Sequence, residues 1–229
     1  MVEYVGDGRE EAILDAFWQR LTTEQLAGVE AVAMDMWEPY FNSTRVHVPE
    51  AARKIVSDPY HLVQHMNDAV RPVRQSEHQR LAAHGDDILK GTRSLWLYGM
   101  ENGPEPRAAV FDQIKFLNLV TSRAWALKEV LRRFWLQPSL QAAARYFERW
   151  YSWAIRSRLQ PVKKVARMCR RPLANILTYF ERRLTNGPIE GLNNRIQGLV
   201  NKPFGYRNRE RFQRDILFHL GGLDLYPAQ

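Results

Sequence analysis

Short apolar runs separate helical repeats in the first third of the chain. The run Ala31–Met34 has no polar position, which is typical of a strand covered on both faces in a parallel sheet. Residues 1–5 and 52–58 show further short runs, and residues 9–20 repeat their apolar positions with helical spacing. Residues 38–47 predict a short helix. This strand, helix, strand order predicts parallel strands joined by a right-handed crossover.

The rest of the chain is dominated by helical repeats. Residues 111–185 carry three successive apolar stripes at helical spacing, and Pro138 and Pro161 mark helix starts. The tryptophans of this segment are interpreted as core residues rather than as platforms for stacking on bases: Trp125, Trp135, Trp150 and Trp153. Residues 185–188 end one helix and begin another, and residues 207–218 predict a final basic helix.

These elements predict an α/β, helix-rich fold with a small, mostly parallel sheet of about three strands, fewer than the usual five or six. The chain divides into three segments. Residues 1–75 carry the strands of a partial core, residues 76–185 form a large helical insertion, and residues 186–229 supply C-terminal helices that complete the core.

Composition narrows the class of protein. The 229 residues are 45% hydrophobic, which indicates a packed core, and no apolar run reaches the ~18 residues that a membrane span needs. The N-terminus does not resemble a signal peptide. The single cysteine, Cys169, excludes an internal disulfide and a cysteine-based zinc site, and it is interpreted as structural rather than nucleophilic. We expect a cytoplasmic bacterial protein that does not bind a membrane.

Charge is divided unevenly along the chain. Residues 1–119 hold 12 Lys and Arg against 18 Asp and Glu, a net charge of −6, whereas residues 120–215 hold 21 against 6, a net charge of +15. A basic block of this size indicates a polyanionic partner, most often nucleic acid. The alternative is a set of Arg-rich helix faces that contact only solvent.

Three carboxylates stand out by position. Asp35 and Asp58 end predicted parallel strands, so they emerge at the edge where open α/β sheets bind their ligands. Glu190 lies at the start of a predicted helix. Mg²⁺ is held by a few carboxylates with waters and phosphates, and two such ions can activate a water and stabilise the leaving oxygen of a phosphodiester. Alternatively, Asp35 caps the helix of residues 38–47 and Glu190 only stabilises a helix dipole.

Several stretches of the sequence resemble those of a known family. They are VAMDMWEPY (32–40), IVSDPYHLVQHMNDAVRPVR (55–74), LTNGPIEGLNNRIQ (184–197) and FGYRNRERF (204–212), together with LKGTRSLWL (89–97) and TSRAWALKE (121–129). In order and over essentially the whole chain, they resemble the DDE transposases of bacterial insertion sequences, specifically the ISL3 family.

The resemblance implies an RNase H-like core and a Mg²⁺-assisted cleavage and strand transfer of DNA at insertion-sequence ends. Asp35 matches the second acidic residue of the family and Glu190 the third, so both are expected to be catalytic and to hold metal. Asp58 and His61 match a shorter segment that is expected to support the site. The expected DNA contacts near the site are Asn193, Asn194, Arg195, Lys202, Arg207 and Arg209.

The sequence also departs from the family. Members begin with a zinc-binding segment and a helix-turn-helix, followed by two strands, the first of which bears the initial catalytic Asp. No acidic residue before Asp35 follows a strand that could replace it. We therefore expect a truncated core that is inactive alone, as a decayed copy or one half of a split reading frame. It would bind insertion-sequence ends and target DNA at the nucleoid, as a homodimer or with a full-length relative.

Two other functions remain open from the sequence. One is a non-catalytic remnant that binds DNA or dimerises and thereby interferes with full-length relatives. The other is an unrelated α-helical interaction protein, which the resemblance to the family disfavours.

Overall fold

The computed structural model describes residues 1–57, 59–101, 108–182, 187–200, 206 and 208–222. In chain order, its helices and strands are α1 (Glu11–Trp18), α2 (Thr23–Gly28), β1 (Val32–Met34), α3 (Glu38–His47), α4 (Ala51–Lys54), β2 (Ile55–Ser57), α5 (Pro59–Ala82), α6 (Ala108–Ile114), α7 (Val120–Arg132), α8 (Leu140–Arg156), α9 (Gln160–Arg170), α10 (Leu173–Leu177), α11 (Tyr179–Arg182), α12 (Gly187–Val200) and α13 (Arg209–Leu220). Two 3₁₀ turns cover Leu95–Leu97 and Arg133–Leu136.

The chain folds into two compact units. Unit 1 comprises Met1–Val56 and Leu184–Gln229, and unit 2 comprises Ser57–Arg183. The many helices and the two-stranded parallel sheet confirm the helix-rich α/β class. The RNase H-like character of the core and the division of the chain at residues 75 and 185 stay predictions.

The sheet is smaller than the sequence predicts, with β1 and β2 paired as its two strands in the described part of the chain. The strand predicted for residues 1–5 is wrong, because this segment makes no ladder and the amide of Val2 donates instead to the carbonyl of Leu220 at 2.8 Å. The strand predicted for residues 52–58 begins late. Ala51–Lys54 are good helix formers and complete one helical turn before the β-branched Ile55 and Val56.

The core of unit 1 forms where α1 packs against α3 and the end of β1. Its buried side chains are Trp18, Met34, Phe41, Val48, Ala51 and Ile55. Asp15 of α1 accepts a hydrogen bond from Ser43 Oγ at 2.6 Å and lies 3.1 Å from His47 Nε2, so one carboxylate fastens α1 to two turns of α3. These contacts fix the residues on both sides of the β1–α3 connection.

Unit 2 is built around α5, which runs unbroken through Pro72 and packs against α7 and α9. The predicted stripes of α7, α8 and α9 face its core. Trp125 and Trp150 are buried, as predicted, and Trp150 Nε1 donates to the carbonyl of Leu127 at 2.9 Å. For Trp153 the prediction is wrong, because 40% of this residue is exposed on α8.

Within the described ranges, we find no helix with both the length and the apolar composition that a membrane crossing requires.

Candidate active site

The side chain of Asp35 is exposed at the carboxyl end of β1. Met34 is buried in the unit 1 core, and the chain then turns sharply, with the amide of Trp37 donating to the carbonyl of Asp35 at 2.7 Å. The N-cap position of α3 belongs to Trp37, so Asp35 precedes that position by two residues. The sequence therefore places a solvent-accessible carboxylate directly after a strand that the core holds in place.

The second strand leads to the same edge of the sheet. Because β1 and β2 are parallel, their carboxyl ends lie at one edge, where ligands of open α/β sheets bind. Ser57 ends β2 with its side chain buried. Asp58, which the sequence places next, lies outside the described residues.

Glu190 lies in the first turn of α12, which begins at Gly187 and Pro188 as the sequence predicts. Its side chain lies outside the described part of the structure. Helix α12 packs against α13. The start of α13 is held by an ion pair between Arg209 and Asp7, 3.0 Å long, and its end by the Val2–Leu220 hydrogen bond.

The strand of Asp35 and the helix of Glu190 thus belong to the same compact unit, although the whole of unit 2 separates them along the chain. Whether the two carboxylates face a shared ion stays a prediction. His61, by contrast, lies half-buried in the first turn of α5, within unit 2. Its supporting role stays a prediction as well.

Of the expected DNA contacts, Asn193, Asn194 and Arg195 belong to α12 and Arg209 belongs to α13. Asn194 and Arg195 are exposed on α12. Arg209 is exposed at the start of α13, where Asn208 caps the helix by accepting from the amide of Arg211 at 3.1 Å. Lys202 and Arg207 lie outside the described residues, as does the side chain of Asn193. All six stay predicted contacts.

The donor atoms suit a hard divalent cation. Carboxylate oxygens are the ligands that Mg²⁺ prefers, and it usually binds through one or two of them with waters and phosphates. Asp35 offers such oxygens, and Glu190 is of the same chemical type. Among the residues that the structure describes, no group of three or more His, Cys, Asp or Glu could hold a metal ion. The carboxylate chemistry of these two residues fits Mg²⁺, and a metal site that they share stays a prediction.

Cys169 lies fully buried in α9, and burial raises the pKa of its thiol to about 12. A thiol with this pKa stays protonated near neutral pH and is a poor nucleophile. The structural interpretation of this cysteine is confirmed.

The charge pattern has one feature that no short motif marks. Residues 149–180 contain eight Lys and Arg and no Asp or Glu, and they cover the C-terminal part of α8 and all of α9. The signal that could have singled them out is the absence of acids from residues 149–180, rather than any short motif.

Comparison with known proteins gives one family. The sequence model of the DDE transposases of the ISL3 type, described as "Transposase", matches residues 1–216. The transposase for insertion sequence element IS1001 of Bordetella parapertussis is 28% identical over 215 residues, which cover 92% of this chain and 52% of that protein. The chain thus spans about half the length of the curated relative it matches. No solved structure matches the chain.

Proposed function

The chain belongs to the ISL3 family of DDE transposases, and from this membership we propose that it supplies two carboxylates of a metal-dependent site for DNA cleavage and strand transfer at insertion-sequence ends. The observation that carries the proposal is the exposed Asp35 at the end of a parallel strand, in the same compact unit as the helix of Glu190. The match over residues 1–216 includes both residues.

In this proposal Asp35 and Glu190 hold Mg²⁺ through their carboxylate oxygens. When bound, the metal would activate the attacking oxygen and stabilise the leaving oxygen of the phosphodiester. Asp35 is suited to this role because the core fixes Met34 before it and the turn to Trp37 fixes the backbone after it. The polar residues of α12 and α13 would hold the DNA backbone.

Convergence of the two carboxylates can be tested by metal-directed cleavage of the protein backbone. With added hydrogen peroxide as oxidant and ascorbate to regenerate Fe²⁺, iron bound in place of Mg²⁺ generates hydroxyl radicals that cut nearby peptide bonds. We expect cuts near both residue 35 and residue 190, competed by Mg²⁺ and reduced at both places at least ~10-fold by Asp35→Asn or by Glu190→Gln.

Glu24→Gln serves as the matched control for this experiment, because Glu24 is exposed in unit 1 on α2. It should leave both sets of cuts unchanged. Cuts near residue 35 that persist in Glu190→Gln would mean that the two carboxylates bind metal separately, and the proposal would fail.

We further propose that residues 1–229 do not cleave DNA on their own. The family resemblance implies three acidic residues, and this stretch of chain carries two of them. A metal that lacks one anionic ligand is held less tightly and neutralises less of the charge that develops on the phosphate. The third carboxylate would come from a segment outside this stretch, or from an associated longer relative.

A nicking assay on insertion-sequence-end DNA with Mg²⁺ tests this second proposal. We expect the 229-residue polypeptide to nick no more DNA than its Asp35→Ala or Glu190→Ala variants. Robust Mg²⁺-dependent nicking that both substitutions abolish would contradict it. DNA binding without nicking is also what a non-catalytic, DNA-binding remnant would show, and the metal-directed cuts at residues 35 and 190 then separate the two functions.

A further inference from the structure

The exposed sides of α8 and α9 form a cationic surface on unit 2. We call this surface the basic face, and its members are Arg145, Arg149 and Arg156 of α8 and Lys163, Lys164, Arg167 and Arg170 of α9. All but the half-buried Lys163 are exposed. The surface belongs to the helical unit, apart from the strand and helices that carry Asp35 and Glu190.

The cations of α8 follow one stripe of the helix. Arg145, Arg149, Trp153 and Arg156 are spaced by three or four residues, which aligns them along one side. The residues that α8 buries against unit 2 occupy the opposite side, namely Ala143, Phe147, Trp150 and Ala154. From Arg145 to Arg156 the stripe is about 16 Å long, given the helical rise of ~1.5 Å per residue.

Helix α9 continues the same surface. Lys164 and Arg167 are exposed, whereas Val162, Val165, Ala166 and Cys169 are buried. Arg170 joins the two helices, because it forms an ion pair with Glu148 of α8 and its guanidinium lies 5.2 Å from the ring centre of Tyr151. The exposed sides of α8 and α9 therefore meet in one surface.

The charge of this surface is not neutralised within the described part of the chain. Arg149, Arg156, Lys164 and Arg167 have no carboxylate within 4 Å there, and Glu148, the acid on this side of α8, is taken by Arg170. Some exposed cations outside this surface pair with an acid three residues away, as in Arg71–Asp68 and Lys90–Asp87. Like charges at these spacings repel each other, and an anion bound to this surface would reduce the repulsion.

An aromatic side chain accompanies the cations. Trp153 lies between Arg149 and Arg156 on the stripe and exposes 40% of its surface. A tryptophan left partly exposed among arginines adds flat apolar area and a ring N–H donor to the surface. On duplex DNA, whose bases are already stacked on each other, this N–H can donate to a phosphate oxygen.

We propose that the basic face binds the phosphate backbone of duplex DNA. The inference rests on the proposed function, since it takes DNA as the polyanion, and it assigns part of the binding to the helical unit. A cationic stripe of about 16 Å exceeds the ~12 Å width of the major groove. It therefore reaches phosphates on both sides of the groove, and sequence-independent phosphate contacts of this kind make binding strongly dependent on salt.

The test is a fourfold variant of the full 229-residue chain: Arg149→Gln, Arg156→Gln, Lys164→Gln and Arg167→Gln. Binding to a fluorescent duplex of random sequence is measured by anisotropy between about 50 and 200 mM salt. At about 100 mM salt, we expect the variant to bind roughly 30-fold more weakly than the wild type. The slope of log K against log salt should fall by roughly three to four.

The matched control removes four cations that have an acid three residues away: Arg53→Gln, Arg71→Gln, Arg80→Gln and Lys90→Gln. Its net charge changes by the same amount, and we expect it to weaken binding less than about threefold. Gln keeps helix propensity at exposed positions, and circular dichroism checks that both variants fold.

Three outcomes overturn the proposal: wild-type affinity in the fourfold variant, an equal loss in the control, or no DNA binding by the wild-type chain at about 50 mM salt, which would favour an acidic protein as the partner. A failure of this inference can be distinguished from a failure of the proposed function. If DNA binding survives the loss of the basic face while metal-directed cuts still depend on Asp35 and Glu190, only the inference about unit 2 is wrong.

Discussion

Replacing Glu77 by Ala is expected to lower the free energy of unfolding by about 4 kcal/mol. Glu77 lies in α5 with its side chain almost fully buried, and its carboxylate accepts three hydrogen bonds from the start of α7. The donors are the amide of Val120 at 2.8 Å, the amide of Thr121 at 2.7 Å and the hydroxyl of Thr121 at 2.6 Å. Alanine leaves these buried donors without an acceptor.

Glu77→Gln separates the charge from the hydrogen bonds. Its amide oxygen can still accept from part of the α7 start, but it has no negative charge to stabilise the helix dipole, so we expect a smaller loss of about 2 kcal/mol. Gln79→Ala changes an exposed position of the same helix and should cost less than about 0.5 kcal/mol. Urea unfolding measures all three, and a Glu77→Ala loss no larger than that of Gln79→Ala would contradict the capping role.

The elements that the sequence predicts well are those whose pattern is local. The run Ala31–Met34 becomes β1, residues 9–20 contain α1, and α8 buries the stripe that its spacing indicates. The position of Asp35 follows from the same local pattern, because a strand that ends in the core delivers the next residue to its edge.

The failures concern contacts that only tertiary structure decides. Residues 1–5 have strand-like composition, but the amide of Val2 pairs with the end of α13 rather than with a neighbouring strand. Trp153 follows the aromatic pattern of its helix, yet it falls on the exposed side of α8, one position before Ala154 of the stripe that packs. A sequence cannot show which backbone group finds a partner across more than two hundred residues.

The stretches at residues 89–97 and 121–129 resemble the family, but the sequence assigns them no role. The structure provides a physical one, because the second stretch binds the backbone of the first and of the residues that follow it. Trp125 Nε1 donates to the carbonyl of Tyr98 at 3.1 Å, and Glu129 accepts from the amide of Met100 at 3.0 Å. Thr121 donates from its amide and its hydroxyl to the carboxylate of Glu77 in α5. These polar residues therefore hold unit 2 together from within.

Lys128 forms three of the hydrogen bonds that join α7 to this backbone. Only 1% of it is exposed, and its Nζ donates to the carbonyls of Trp96, Leu97 and Tyr98 at 2.8, 3.1 and 2.9 Å. At pH 7, we expect Lys128→Met to lower the free energy of unfolding by about 3 kcal/mol, because it removes the shared donor of three carbonyls and the nearby charge that pairs with Glu129 at 3.5 Å. Lys90→Met, at an exposed ion pair, should change it by less than about 0.5 kcal/mol.

The stabilisation by Lys128 should also depend on pH in a defined direction. Burial lowers the pKa of Lys128 to about 8, against the opposing effect of Glu129, whereas an unfolded lysine has a pKa of about 10.4. Between these values the unfolded chain holds more protons than the folded one, so the wild-type free energy of unfolding gains up to about 3 kcal/mol as pH rises. The Met variant lacks this gain. The stability difference between wild type and Lys128→Met, measured by urea unfolding at pH 7 and pH 10, should therefore widen, and a constant or narrowing difference would show that burial does not disfavour the ammonium.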